Sequence, residues 1–185
     1  MKKVLTIDDE VPFFMFDVPQ ILIDTAFNGA LELRYYSDGK DRDPIVSNLN
    51  SMGESIETEM GFVSYTAAHE INKNINALVD YLKKQCNHIS KTYYALDIEF
   101  EPVNSSVLFY ETGSMISSHN HFPFAFVSAV YLNIDVGASP IILGKDTKVQ
   151  PYAGLGIIFP GHLKHEVETT TEKRIMCTVD WKAIL

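Results

Sequence analysis

Four residues stand out for the chemistry that their types and spacing allow: His119, His121, His165 and Arg174. Alternate residues at a strand end point to the same side, so His119 and His121 can present two imidazoles together. His165, from a later strand, can close a three-nitrogen face around one metal ion. Neutral imidazole is the commonest side chain to bind iron, zinc, copper or nickel. Arg174 comes nine residues after His165, a distance that suits a hairpin returning to the same mouth. An arginine buried there is costly unless it meets an anion, and its planar fork matches a carboxylate.

The elements that must position these residues are short β segments, beginning near Tyr93. Ile98 and Phe100 alternate with Glu99 and Glu101, and Val107–Tyr110 ends in Thr112-Gly113. Ala125–Ile134, Ile141–Leu143, Gly156–Phe159, Glu166-Val167 and Arg174–Trp181 follow, separated by turn signals at Gly137, Gly144, Pro151, Gly154 and Pro160-Gly161. This spacing predicts an antiparallel sandwich or barrel. Before it lie two predicted helices. The first is capped by Asp17 with Pro19 and Gln20 in its first turn, and carries an imperfect stripe of Ile21, Leu22, Thr25, Leu31 and Leu33, weakened by Gly29. The second has Ile71, Ile75, Leu78, Val79 and Leu82 at three- and four-residue steps. Residues 37–60 are polar and turn-rich and read as a loop, a candidate lid. Helices followed by strands predict an α+β fold with the helices packed on one face of a β core.

Composition narrows the function classes. The 185 residues are 46% hydrophobic and 21% charged, as in an ordinary globular domain, and the formal charge of −9 argues against a nucleic-acid partner. No apolar run is long enough for a membrane span, and the acidic start is not a signal peptide. The two cysteines, Cys86 and Cys177, read as reduced thiols. A cytoplasmic protein is therefore expected, with oligomeric state left open. His69 and His88 read as surface or satisfied core residues, His162 as a turn residue near the site, and Trp181 as packing. Phe122, Phe124 and Phe126 alternate either as pocket lining or, more commonly, as core.

Tyr110-Glu111-Thr112-Gly113, then His119-Asn120-His121, then Val130-Tyr131-Leu132-Asn133 resemble the core of the 2-oxoglutarate- and iron(II)-dependent oxygenases. The likeness is closest to the prolyl-hydroxylase-like branch. Gly154–Pro160 followed by His165 resembles that family's strand leading to its distal histidine, and Arg174 falls where the family has Arg or Lys. Ser47-Asn48 and Ser51–Ser55 resemble a polar loop of a bacterial and phage-type branch that also writes His-x-His. The resemblance covers residues 95–181. It implies a double-stranded β-helix, the jelly roll of cupin-like proteins, in one domain spanning 1–185. Residues 1–92 would be mainly helical support and loop, and 93–185 the jelly-roll core. It further implies Fe(II) on His119, His121 and His165, and 2-oxoglutarate as cosubstrate. Arg174 and Tyr110 would hold its far carboxylate, although Tyr110 is equally suited to sheet packing. The implied reaction hydroxylates a substrate with release of succinate and CO2. A small molecule, a nucleobase, a prolyl or another protein side chain all stay open as substrate.

One departure matters. The common pattern of that family has a carboxylate at the second ligand position, where this chain has His121. Two histidines and one carboxylate are the usual face of open-sited non-haem iron oxygenases. Asp146 is one candidate substitute. Alternatively only His119 and His165 bind metal, with His121 facing substrate. Two other functions compete with a dioxygenase: a cupin-like three-histidine metalloprotein that does not use 2-oxoglutarate, and a non-catalytic jelly roll serving assembly.

Overall fold

A computed structural model of the chain describes residues 1–7, 10–37, 57–58, 61–64 and 67–184. Among these residues the strands form two antiparallel sheets. The larger has eight strands in the order β1-β2-β10-β7-β12-β5-β4-β3, and the smaller four in the order β6-β11-β8-β9. The elements of the large sheet are β1 (Lys2–Leu5), β2 (Pro12–Asp17), β3 (Glu57–Thr58), β4 (Gly61–Val63), β5 (Glu99–Tyr110), β7 (Phe126–Ile134), β10 (Leu155–Pro160) and β12 (Arg174–Ile184). Those of the small sheet are β6 (Ile116–His119), β8 (Ile141–Leu143), β9 (Thr147–Val149) and β11 (His165–Val167). Helices α1 (Gln20–Ser37), α2 (Ala68–Ile71) and α3 (Lys73–Tyr93) complete the described elements. No helix among the described residues is long and apolar enough to cross a membrane.

Period-two alternation sorts the large sheet into two faces. Val127, Ala129 and Tyr131 of β7, with Ile157 and Phe159 of β10, point between the sheets into one apolar core. Phe126, Val130 and Leu132 point the other way, into a second core shared with α1 and α3. Sheet packs on sheet, and helices pack on the outer face of the large sheet, as the α+β jelly-roll reading requires.

The helical half differs from expectation in three respects. Residues 1–92, expected mainly as helices and loop, supply four strands to the large sheet; β2 pairs directly with β10. The apolar run from Pro12 to Phe16 has no turn signal inside it, and a short run of this kind does not distinguish strand from helix. Asp17 does not cap α1. It closes β2 and accepts a hydrogen bond from Tyr152 Oη at 2.7 Å. The buried stripe of α1 is Ile23, Ala26, Ala30 and Leu33, whereas Ile21 and Leu31 face solvent. The loop expected at 37–60 lies largely outside the described residues.

The second predicted helix forms from Lys73 on, but Ile71, expected in its stripe, ends the separate α2, because Asn72 between them is extended. Ile75, Leu78, Val79 and Leu82 are buried on α3, and the stripe extends to Cys86 and Ile89. Asn72 caps this helix, accepting from Asn74 N at 2.9 Å and Ile75 N at 3.1 Å. The same side chain donates to Glu32 of α1 at 2.8 Å. A Cβ on Gly29 would come within 2.6 Å of Asn72 Oδ1, so the glycine that weakens α1 as a helix lets the two helices meet here. Asn72→Ala removes the cap and the cross-helix bond together. It should lower the unfolding free energy by about 1–2 kcal/mol, read from urea denaturation with an unchanged slope.

Candidate metal and anion site

The three histidines converge where the sheets open. His119 ends β6 and His165 begins β11, and the two are direct cross-strand partners. His121 lies two residues beyond β6 and is held by its backbone instead. Its N–H donates to Gly161 O at 2.7 Å, and its carbonyl accepts from Phe124 N at 2.9 Å. The Pro160-Gly161 turn packs so closely that a Cβ on Gly161 would sit 2.1 Å from Phe124 O and 3.2 Å from His121 O. Only glycine admits that approach, and it fixes His121 against the exit of β10. Ring centroids are 4.3 Å apart for His119 and His165, 5.2 Å for His119 and His121, and 5.1 Å for His121 and His165. One nitrogen from each ring lies within 4.8 Å of the others, a set that could hold a metal ion.

The free nitrogen in each ring follows from what the other nitrogen meets. Nδ1 of His119 faces Ser117 O at 2.9 Å, and Nδ1 of His165 faces Leu163 O at 3.3 Å. Nδ1 of His121 faces Asp180 Oδ1 at 2.6 Å. Carbonyls and carboxylates only accept, so each Nδ1 carries the proton and each Nε2 keeps its lone pair. Metal-binding histidines are oriented in this way by their outer partners. Burial, with help from the neighbouring His119 and His121, pushes the His165 pKa down to about 3. That ring is therefore neutral at physiological pH, with no proton to displace before a metal binds.

A cavity of about 190 Å³ runs inward from the histidines between the sheets. Leu108, Val127, Ile141, Phe159 and Met176 make its walls apolar, and Tyr110 lines it as well. Pockets for drug-sized ligands typically measure 300–1,000 Å³, so this cavity suits a smaller molecule. Arg174 does not line it directly. The guanidinium lies over the Tyr110 ring, 4.3 Å from its centroid, and 5.9 Å from that of Tyr131. Arg174 is 1% exposed. Its Nη1 donates to Ser139 O at 2.8 Å, while Nε, Nη2 and the neighbouring Tyr131 Oη are buried without a hydrogen-bond partner among the described residues. No carboxylate pairs with Arg174 among the described residues. A buried guanidinium with two idle donors has hydrogen-bonding capacity that an anion could meet. Burial raises the Tyr131 pKa to about 12 and moves Tyr110 in the same direction, so both phenols stay protonated as donors.

The structure thus brings His119, His121 and His165 together and places Tyr110 at the far end of their cavity, with Arg174 behind it. It does not bring Asp146, which is exposed on the turn between β8 and β9, outside the three-histidine group. His162 is exposed on its turn, and His69 bonds Ser105 Oγ at 2.6 Å, distant in sequence from the site. Trp181 is buried packing, its Nε1 donating to Ser128 Oγ at 2.9 Å. Phe126 joins the helix-side core, whereas Phe122 is 76% exposed. Cys86 and Cys177 are free and buried.

Two residues of the site were not singled out from sequence. Tyr131 sits in the Val130–Asn133 motif, and its odd-numbered parity with Val127 and Ala129 turns it inward. Asp180 shares the even parity of Arg174 along one strand, a signal that becomes readable once that strand's inward face is known.

No family model matches the sequence, and no curated protein matches it. Solved structures do. A Pseudomonas putida prolyl-4-hydroxylase superposes with a TM-score of 0.61 at 16% identity, covering 92% of this chain and 91% of that one. The viral collagen prolyl hydroxylase from Paramecium Bursaria Chlorella virus-1, solved as its 2OG complex, gives 0.58 at 16% identity over 94% and 96%. The non-haem α-ketoglutarate-dependent carbocyclase SnoK of nogalamycin biosynthesis gives 0.65 at 11% identity over 91% and 78%. The chain has the jelly-roll fold of the 2-oxoglutarate/Fe(II) oxygenases, and its three-histidine group could hold a metal ion.

Acid should weaken the metal-free fold through His165. Its folded pKa of about 3 lies below the unfolded value of 6.5, so the unfolded chain takes up the proton first. The stability is present above pH 6.5 and is lost as pH falls toward 3, by up to about 1.4 kcal/mol per pH unit from this group. His165→Gln should flatten that limb in denaturant titrations of metal-free protein. Parallel curves for the two proteins would contradict it.

Proposed function

We propose that the protein is a 2-oxoglutarate-dependent Fe(II) dioxygenase with an all-histidine metal face. The observation that carries this reading is Arg174, buried with two unpartnered donors beside the cavity that the three histidines share. A metal-binding jelly roll without a cosubstrate anion gives no reason to bury a cation there. A small dicarboxylic 2-oxo acid has one end to meet a metal and another to meet a guanidinium.

The residues divide the task. His119, His121 and His165 would hold Fe(II) through Nε2. Three neutral ligands leave open positions around the ion for the 2-oxo acid end and a third reactant. Arg174 and the hydroxyls of Tyr110 and Tyr131 would take the distal carboxylate, satisfying the Arg174 and Tyr131 donors now left idle. The apolar walls between the two ends exclude water, which strengthens both polar contacts. When Fe(II) and 2-oxoglutarate are bound, the chemistry available is coupled oxidation: R–H, 2-oxoglutarate and O2 become R–OH, succinate and CO2.

Arg174→Ala tests the reading. Two hydrogen bonds from a charged donor contribute on the order of 3–6 kcal/mol, so 2-oxoglutarate affinity should fall about a hundredfold or more. Calorimetry on Mn(II)-loaded protein reads that loss, while Mn(II) affinity itself stays near that of the parent. The parent should form succinate in air with Fe(II) and reductant. Equal 2-oxoglutarate binding by the variant would favour the cupin-like reading. Absence of both metal and 2-oxoglutarate binding in the parent would favour a non-catalytic jelly roll.

A further inference from the structure

His121 is the one histidine of the three whose ring is oriented by a side chain. Nδ1 of His119 and of His165 meets backbone carbonyls; Nδ1 of His121 meets the Asp180 carboxylate at 2.6 Å. We propose that Asp180 is a positioning residue that restores, one bond outward, the carboxylate missing from the second ligand position. It would act through the His121 imidazole instead of touching the metal. The proposal rests on reading the three histidines as a metal site.

Three features of the structure support it. First, the carboxylate is itself held. Its Oδ1 accepts from His121, and its Oδ2 accepts from Asn104 Nδ2 at 2.9 Å. Asn104 is also its cross-strand partner on β5. Both oxygens are therefore engaged, the side chain is only 12% exposed, and the desolvation cost of the charge is offset by directed bonds.

Second, the inward-facing ladder of β5 and β12 ends at this pair. The register of β12 against β5 runs Thr178↔Ser106, Val179↔Ser105, Asp180↔Asn104 and then jumps to Trp181↔Pro102, skipping Val103. A bulge of this kind re-aims side chains beside it. Here the extra residue lies on β5 just beyond the pair: Asp180 and Asn104 keep the inward parity of Arg174 and Tyr110, whereas even-numbered Phe100 past the bulge turns to the helix-side core. Third, His121 lies off the strand and has no cross-strand partner to set its ring. The carboxylate supplies the orientation that the β6–β11 pairing gives His119 and His165.

The chemical consequence is specific. An imidazole whose Nδ1–H donates to a carboxylate is a stronger, better-oriented Nε2 donor than one bonded to a carbonyl. The site thus recovers negative charge near the metal without a carboxylate in the coordination sphere. It is a three-histidine face with a carboxylate behind one of its members.

Metal affinity of metal-free protein, titrated with Co(II) and followed by calorimetry and by the Co(II) absorption spectrum, tests this without any turnover assay. His119→Ala should abolish binding, which establishes the site. Asp180→Asn keeps the shape but loses the charge, and should weaken Co(II) binding roughly 10- to 100-fold and shift the spectrum. A second background separates charge from mere packing. In His121→Asp the carboxylate enters the ligand position itself, so Asp180 becomes a redundant like charge. There Asp180→Asn should leave affinity unchanged or raise it. A loss of the same size in both backgrounds would mean that Asp180 is structural and would overturn the proposal. So would unchanged affinity and spectrum for Asp180→Asn in the parent while His119→Ala loses binding. Failure of the parent to bind Co(II) at all would instead remove the metal reading, and this proposal with it.

Discussion

The site depends on a single parity along β12. Arg174, Met176, Thr178 and Asp180 occupy alternate positions on the strand that lies between β7 and β5 in the large sheet. Facing them on β5, in register, are Tyr110, Leu108, Ser106 and Asn104. Tyr110, Leu108 and Ser106, with Met176 and Thr178, line the cavity; the pairs at the two ends are the charged ones. The six steps from Arg174 to Asp180 span roughly 20 Å of strand, so a guanidinium and a carboxylate sit at opposite ends of one rigid ladder with apolar and hydroxyl side chains between them. A one-residue slip would turn both charges into the helix-side core, where Cys177, Val179 and Trp181 now pack. Register is thus under both packing and electrostatic constraint.

Each charge is buried for a different reason. Asp180 has its partners within the fold: a histidine on one oxygen and an asparagine on the other. Arg174 has a carbonyl on one nitrogen, an aromatic face beneath it and no hydrogen-bond partner for the rest among the described residues. A cation–π contact offsets only part of the cost of burying a guanidinium. The fold therefore carries one completed polar network and one incomplete one. Buried polar groups left unpaired are rare in folded proteins, so the open donors of Arg174 call for a partner.

Much of this architecture was legible in the sequence because it is written locally. The turn before His165 and the position of Arg174 needed only short-range spacing, whereas strand alternation, expected to align His119 and His121, does not reach His121, which the backbone bonds to Gly161 and Phe124 place instead. The strand series after Tyr93 was legible for the same reason, although β5 runs unbroken through Pro102. That proline sits beside the bulge, where the sheet tolerates a residue lacking an N–H. What was not legible depends on partners distant in sequence. Pro12–Phe16 becomes a strand because β10 offers it an edge, and α1 turns Ile23 inward because Asn72 docks at Gly29. Asp180 reads as one acid among many until the β12 parity and the His121 loop are both known. Its 59-residue separation from His121 hides the pairing.

That pairing also bears on why a histidine can stand in the second ligand position. A carboxylate placed directly at the mouth of this cavity would face apolar walls, with few donors to satisfy its remaining lone pairs. Moved behind an imidazole, it lies at the polar end of the β5–β12 ladder, where Asn104 is already in register to receive it. The cavity keeps a neutral lining, and the charge keeps its hydrogen bonds. The imidazole transmits orientation and electron density between them, because its two nitrogens point in different directions and only one is needed by a metal. On this argument His121 and Asp180 form one functional unit. Replacing either alone leaves the other with an unmatched polar atom at a largely buried position.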